Sequence, residues 1–168
     1  MTLRIIAIAC AVFALGASGS ALLFGQVDMS YAQTTPYSAP QTQEGDDGWL
    51  NYVDAPETGP DDAGSLNPAP GSAEAAVVKF LASRMRGDDA WEDALVTERS
   101  SRLERKIAEW DEWKIEGFQL RGRKPARGDG VYVKVFFRIS IDGDSDSGTD
   151  EFEVVPEGDE WRIASIPS

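Results

Sequence analysis

The chain has 168 residues, a formal net charge of −13 at pH 7, no histidine and a single cysteine, Cys10. Without histidine, serine–histidine and cysteine–histidine nucleophile pairs are excluded, and so are zinc sites built on histidine or thiolate ligands beyond Cys10. An acidic chain repels nucleic acid and anionic lipid at long range, so we expect neither as a partner.

Residues 1–32 have the layout of a secretory signal peptide. Arg4 precedes a mostly apolar run from Ile5 to Phe24, and a polar stretch follows it. Small residues indicate cleavage after Ala32, with cleavage after Ala21 as an alternative. If the run is not cleaved, its roughly 20 apolar residues are enough to anchor the protein in a membrane. In either case we expect the remainder to be exported, to the periplasm or outside the cell.

Residues 33–71 carry seven acidic residues and no lysine or arginine, and they are rich in Pro, Gly, Ser and Thr. This composition buries too little apolar surface to offset the entropy of ordering, so it predicts an acidic disordered tether. One short apolar stretch, the apolar island at residues 49–53, interrupts this segment. It could be a strand that docks on a sheet edge, either the chain's own or a partner's. The other interpretation is an incidental patch that packs weakly on the domain. The docking residues of the island are Trp49, Leu50, Tyr52 and Val53.

Residues 72–168 are expected to form one folded domain that begins with helices. Ser72 is a suitable N-cap for a helix that stops at Gly87. Asp89 opens a capping-box pattern for a short second helix. A third helix is predicted from about Ser101 to Trp110, because apolar residues recur there at helical spacing.

Four strands are predicted after the helices. The clearest runs from Val131 to Ile141, where apolar residues fill every second position and so give one apolar and one mixed face. The others are Trp113–Arg123, Thr149–Val155 and Trp161–Ile166, with an acidic loop at Asp142–Gly148. The short connections imply an antiparallel meander. The predicted fold class is therefore α+β, with N-terminal helices packed on a curved four-stranded antiparallel sheet.

This order of elements resembles the nuclear transport factor 2-like superfamily of cone-shaped α+β domains. The similar motifs are Val77–Leu81 followed by Gly87-Asp88-Asp89, and the closing stretch Glu157–Ile163. The resemblance covers residues 72–168 and implies a pocket between a curved sheet and the long helix. The superfamily includes isomerases, dehydratases, hydrolases and exported domains without known activity, so the resemblance alone assigns no function.

Two sets of residues are candidates for contact with a ligand or partner. The first belongs to the helix-facing side and is core if that side is closed: Trp91, Trp110, Val133, Val135 and Phe137. The second lies on the outer side of the sheet if part of the cone stays open: Trp113, Tyr132, Phe136 and Arg138. The ligand-binding candidates are Trp91 and Trp110 together with this second set.

A general base needs a desolvated carboxylate near the reacting proton. The strand acids Glu116, Glu151 and Glu153 alternate with apolar residues and are expected to point outward. We therefore expect a non-catalytic binding or interaction module for a small apolar ligand or a protein partner. The alternative is a small-molecule isomerase or dehydratase that uses the cone pocket.

The acidic loop has the ligand rhythm of a calcium site. Carboxylates recur at positions 1, 3, 5, 9 and 12 of the stretch, although position 6 is Ser147 instead of glycine. The other interpretation is a solvated hairpin loop. The candidate ligands are Asp142, Asp144, Asp146, Asp150 and Glu153; no other cofactor is indicated.

A basic cluster is predicted at the tip of the first hairpin of the domain, in an otherwise acidic molecule. It could dock an anionic partner or the chain's own tether, or it could be solvated. A homodimer through the open sheet face is a further expectation. The cluster consists of Arg121, Arg123, Lys124 and Arg127.

Overall fold

The structure is a computed structural model that describes residues 41–62 and 68–167. The predicted signal peptide, residues 1–32, lies outside the described residues, and so do residues 33–40 and 63–67 of the predicted tether. None of the helices in the described ranges is long and apolar enough to cross a membrane.

One antiparallel sheet, with its six strands side by side in chain order, organises the domain. Helices pack against it, which confirms the α+β class. Within the described residues the sheet has six strands and not four, because two strands precede the helices in the segment predicted to be disordered. The strands are β1 (Gln41–Glu44), β2 (Leu50–Val53), β3 (Lys114–Pro125), β4 (Val131–Ile141), β5 (Asp144–Glu157) and β6 (Glu160–Ser165).

Two α-helices separate β2 from β3. Helix α1 (Ala73–Arg86) begins at Ser72, whose hydroxyl accepts a hydrogen bond from an N–H of the first turn, and it ends at Gly87 in the left-handed conformation. Helix α2 (Ser101–Trp110) follows a Ser100 N-cap. These bounds agree with the predicted helices. Short 3-10 helices lie at Pro60–Asp62 and Asp89–Ala94.

The second predicted helix is this 3-10 helix at 89–94, and Asp88, not Asp89, is its N-cap. The Asp88 carboxylate accepts hydrogen bonds from the backbone N–H of Ala90 at 3.1 Å and from the buried hydroxyl of Ser83. The Ser83 oxygen in turn accepts the N–H of Trp91 at 2.8 Å. The bond from Ser83, and then one from Arg86, lowers the pKa of Asp88. This network fixes the short helix against the end of α1.

The core lies between α1 and the sheet, and the apolar row of β4 faces it: Val133, Val135, Phe137 and Ile139 are buried. The indole of Trp110 fills its centre. Its ring centroid lies 5.5 Å from that of Phe80 and 5.8 Å from those of Phe137 and Phe152. The indole N–H also donates to the carbonyl oxygen of Pro167 at 3.2 Å, so the end of the described chain is tied to the same cluster.

The prediction of a disordered tether is wrong for residues 41–62. Strands β1 and β2 form a hairpin, and β2 continues the sheet through the pairs Leu50–Arg123 and Asn51–Gly122. Farther along, Thr58 and Phe118 exchange backbone hydrogen bonds of 2.7 and 2.9 Å. Composition is local, whereas the edge of β3 supplies partners from more than 50 positions away. Those bonds help to offset the entropy cost of ordering the segment, which its few apolar residues could not offset by burial alone.

The prediction of an acidic loop at Asp142–Gly148 is also wrong. Asp142 and Gly143 form a two-residue turn with φ values of 52° and 94°, and β5 begins at Asp144. Positive φ at both central residues is the requirement of the tight hairpin turn that Asp-Gly favours. The rest of the stretch pairs with β4, from Asp144 opposite Ile141 to Gly148 opposite Phe137.

Candidate functional site: the outer face of the sheet

The residues predicted to line a ligand pocket divide between the two faces of the sheet. Trp110 is fully buried, and Trp91 packs against Phe80 with ring centroids 6.1 Å apart. Trp113 lies beside Trp110, at 5.0 Å between centroids, and packs on the core. Trp113 therefore belongs to the helix side, and its predicted place on the outer side is wrong.

The other three candidates do lie on the side of the sheet that faces away from the helices, which we call the outer face. Tyr132, Phe136 and Arg138 alternate along β4 with the buried row, and Lys134 stands among them. Their neighbours on β3 are Lys124 opposite Tyr132, Gln119 opposite Phe136 and Gly117 opposite Arg138. Their neighbours on β5 are Glu153, Thr149 and Ser147.

The apolar island pairs with the chain's own sheet, one of the two partners considered for it. Trp49 is 3% exposed, and its ring lies 4.3 Å from the Nζ of Lys124 and 3.9 Å from that of Lys134. Leu50 and Tyr52 belong to β2, and Tyr52 packs against the core. Val53 ends the strand and is exposed. The buried Trp49 is thus part of the outer face rather than a free docking group.

The cations of the outer face are held against aromatic rings, an arrangement that cation–π attraction favours. The guanidinium of Arg121 lies 5.3 Å from the centroid of Phe136, and the Nζ of Lys124 lies 5.4 Å from that of Tyr132. Lys124 also pairs with Glu151 at 3.4 Å. Arg121 and Lys134 make no ion pair within residues 41–62 and 68–167. Of the cations on the outer face, Arg121 and Lys134 are therefore positioned by rings without being neutralised by an ion pair, whereas Lys124 and Arg138 are paired.

The predicted cluster at the hairpin tip is spread over different surroundings. Arg121 and Lys124 belong to the outer face, and Arg123 pairs with Glu74 at 3.4 Å. Arg127 is exposed in the turn between β3 and β4. Alternation along the strand sends Arg123 and Lys124 to opposite faces, and the register shift between Leu120 and Gly122 puts Arg121 on the face of Lys124.

Sequence reasoning missed Glu74, the carboxylate that is buried in the described part of the chain. It lies in the first turn of α1, where the helix dipole favours negative charge. The phenol of Tyr52 donates a hydrogen bond to it, and Arg123 lies within ion-pair distance. No local signal marks this contact, because Tyr52 comes from the segment predicted to be disordered. The contact ties β2 to α1, and among the described residues Glu74 is the buried acid available for proton transfer.

Four of the five candidate calcium ligands are spread along β5, and Asp142 lies in the turn before it. Asp144, Asp146 and Asp150 occupy alternate positions of β5, and Glu153 points to the opposite face. Successive side chains on one face of a strand are roughly 6.6 Å apart, whereas calcium needs oxygens converging at about 2.3–2.6 Å. Among the described residues, no group of three or more acidic, histidine or cysteine side chains converges on a metal position.

We expect calcium to leave the stability of the protein unchanged. A cation that cannot gather several carboxylates binds the folded state no better than the unfolded state, and so gives no thermal shift. Melts followed by circular dichroism with millimolar calcium and with millimolar magnesium check this. A midpoint raised by calcium but not by magnesium would contradict the expectation and restore the predicted site.

A cleft of about 520 Å³ lies between the 3-10 helix at 89–94, α2 and β6. It is open and mainly polar. Both of the arginines that line it form ion pairs, Arg99 with Glu92 at 3.7 Å and Arg162 with Glu160. It is not the apolar pocket between sheet and long helix that the resemblance implies. Its lining is Glu92, Asp93, Leu95, Val96, Thr97, Arg99, Glu104 and Arg162.

Comparison of the chain with family models, with curated proteins and with solved structures gives no match.

Proposed function

We propose that the chain is an exported, non-catalytic binding module of nuclear transport factor 2-like layout that binds a protein partner through its outer face. The observation that supports this is the contrast between the two sides of the sheet. On the helix side, Trp110 and its aromatic neighbours occupy the space where a small apolar ligand would lie. On the outer face, Tyr132 and Phe136 are partly exposed beside positioned cations.

The alternative function is a small-molecule isomerase or dehydratase, and Glu74 is the observation that favours it. A buried carboxylate in contact with a phenol provides a base and a hydrogen-bond donor side by side. Here, however, the same carboxylate oxygen also faces Arg123, and one partner, Tyr52, belongs to the edge hairpin. We therefore assign Glu74 the structural role of holding β2 against α1.

Site-specific photo-cross-linking tests the proposed function. A photoreactive amino acid at position 136 on the outer face is expected to form a cross-link in the native exported fraction. The same group at position 105, exposed on α2, serves as the matched control. Both variants must keep the far-ultraviolet circular dichroism and the melting midpoint of the unmodified chain.

A cross-linked species at position 136 and not at 105 supports binding through the outer face. A species of twice the chain mass identifies the partner as a second copy, the homodimer expected from the open sheet. Equal cross-linking at both positions, or none at 136, would contradict the proposal. Turnover of a small substrate that Glu74→Gln abolishes without changing the fold would favour the enzyme instead.

A further inference from the structure

We infer that the outer face binds an acidic, extended polypeptide segment of its partner, an inference that rests on the proposed function. The relevant property is the charge of the β3–β4 hairpin. Residues 114–141 contain seven basic and two acidic side chains, a net charge of +5. The rest of the chain contains nine basic and 27 acidic side chains, a net charge of −18. The hairpin is thus a strongly cationic part of an anionic chain, and all of its basic residues except Arg123 and Arg127 lie outside the helix side and the turn.

The chain itself supplies an example of such a segment on this face. Glu57 follows β2. Its carboxylate accepts a hydrogen bond from the Nε of Arg138 at 2.7 Å and lies 2.6 Å from the Nη2 of the same side chain. Gly117 makes room for this contact, because a Cβ there would lie 3.1 Å from the Glu57 oxygen. Nearby, the side-chain amide of Gln119 donates to the backbone carbonyl of Ala55. An extended acidic stretch is therefore bound through both its carboxylate and its backbone.

Farther along the face, Arg121 and Lys134 make no ion pair within the described ranges; the acid opposite Lys134 on β5, Glu151, pairs with Lys124. Arg121 is held over Phe136 and Lys134 over Trp49, and these ring contacts limit the rotamers of both cations. Phe136 and Lys134 are two residues apart on β4, roughly 6.6 Å. Carboxylates at alternate positions of an extended chain have the same spacing. The β4 positions from which the two cations are placed therefore have the repeat of a segment in which every second residue is acidic.

A long polyanion such as nucleic acid fits this surface less well than a short acidic peptide. It would extend past the hairpin into the field of the remaining −18 charges and be repelled. A short segment keeps its carboxylates within about a Debye length of the cations, roughly 10 Å at 0.1 M salt. The location of the cations on one hairpin thus favours a peptide over an extended polymer.

Fluorescence anisotropy with a labelled peptide of about ten residues, alternating Glu and Ser, tests the inference on the exported chain. The chain is expected to bind this peptide and not the equivalent peptide alternating Gln and Ser. The double variant Arg121→Gln/Lys134→Gln is expected to bind the acidic peptide roughly tenfold more weakly at low salt. The control Arg102→Gln/Arg105→Gln removes the same charge from the exposed face of α2 and is expected to change binding by less than about twofold.

The charge-conserving variant Arg121→Lys/Lys134→Arg is expected to bind within about threefold of the unmodified chain, which separates lost charge from disturbed folding. Equal weakening by the α2 control, or tighter binding of a sulphated polysaccharide than of the peptide, would overturn the acidic-peptide assignment. So would the absence of peptide binding while cross-linking at position 136 persists, a result that leaves the proposed function standing. If cross-linking at position 136 also fails, the proposed function fails with it.

Discussion

Replacing Gly122 by alanine is expected to detach the β1–β2 hairpin from the sheet. A Cβ on Gly122 would lie 2.6 Å from the carbonyl oxygen of Leu50 and 3.1 Å from the Cα of Asn51. Both are backbone atoms that cannot turn aside as a flexible side chain could. Because β2 pairs with β3 only through Leu50 and Asn51, the clash disrupts both of the residue pairs that join the two strands. Overpacking of this kind costs about 1–3 kcal/mol.

Hydrogen–deuterium exchange followed by mass spectrometry measures the effect locally. Amides of residues 50–58 are expected to exchange roughly tenfold faster or more in Gly122→Ala, while those of α1 and β4 keep their protection. Gly148→Ala is the matched control, since no atom lies within 4 Å of a Cβ at that strand position. The control is expected to be neutral or slightly stabilising. Unchanged protection of residues 50–58 in Gly122→Ala would show that β2 does not lie against Gly122 as described.

The sequence was sufficient for the elements whose signal is local. The alternation from Val131 to Ile141 predicted a strand with one buried face, and the buried residues are those of the predicted row. The bounds of α1 follow from a serine cap at one end and a glycine at the other, which act within a single turn. The place of Trp110 in the core was one of two alternatives, and it follows from the apolar row of β4 facing the helices.

The missed features depend on partners far apart in the chain. Trp49 is buried because Lys134, 85 positions later, lies over its ring, and Glu74 is buried with Tyr52 from the same hairpin. Composition averages over a segment and contains no information about such contacts, so it predicted disorder for residues 41–62. The outer face was only half predicted for this reason: Tyr132, Phe136 and Arg138 were identified, but not the groups that position the cations.

The error at Asp142–Gly148 has a different origin, because the correct signal was local. Asp142-Gly143 between two alternating stretches is the strongest short-range indication of a hairpin. Five acids at calcium-loop spacing compete with it in the same stretch, and each pattern fits the residues alone. The ladder from Asp144 opposite Ile141 confirms the hairpin and sets the acids along a strand, while calcium binding stays a prediction for the melts to test.

Replacing Trp110 by alanine is expected to cost about 4 kcal/mol of folding free energy, the largest effect of any single substitution proposed. The indole is fully buried, contacts Phe80, Phe137 and Phe152, and donates the hydrogen bond that holds Pro167. Removing it leaves a cavity between α1 and the sheet as well as an unpaired carbonyl. Such a cost is a large part of the typical 5–15 kcal/mol of a domain, so the variant is expected to be partly unfolded at 37 °C.

Urea denaturation followed by circular dichroism measures the difference, and two further variants keep it interpretable. Trp110→Phe retains most of the ring volume and is expected to lose about half as much. Trp91→Ala removes a tryptophan that packs on the edge of the core and is only partly buried, so it is expected to cost less than Trp110→Ala. If Trp110→Ala costs no more than Trp91→Ala, the space between α1 and the sheet is not closely packed. The reason for placing the partner on the outer face would then be lost, and a small apolar ligand inside the domain would become the better interpretation.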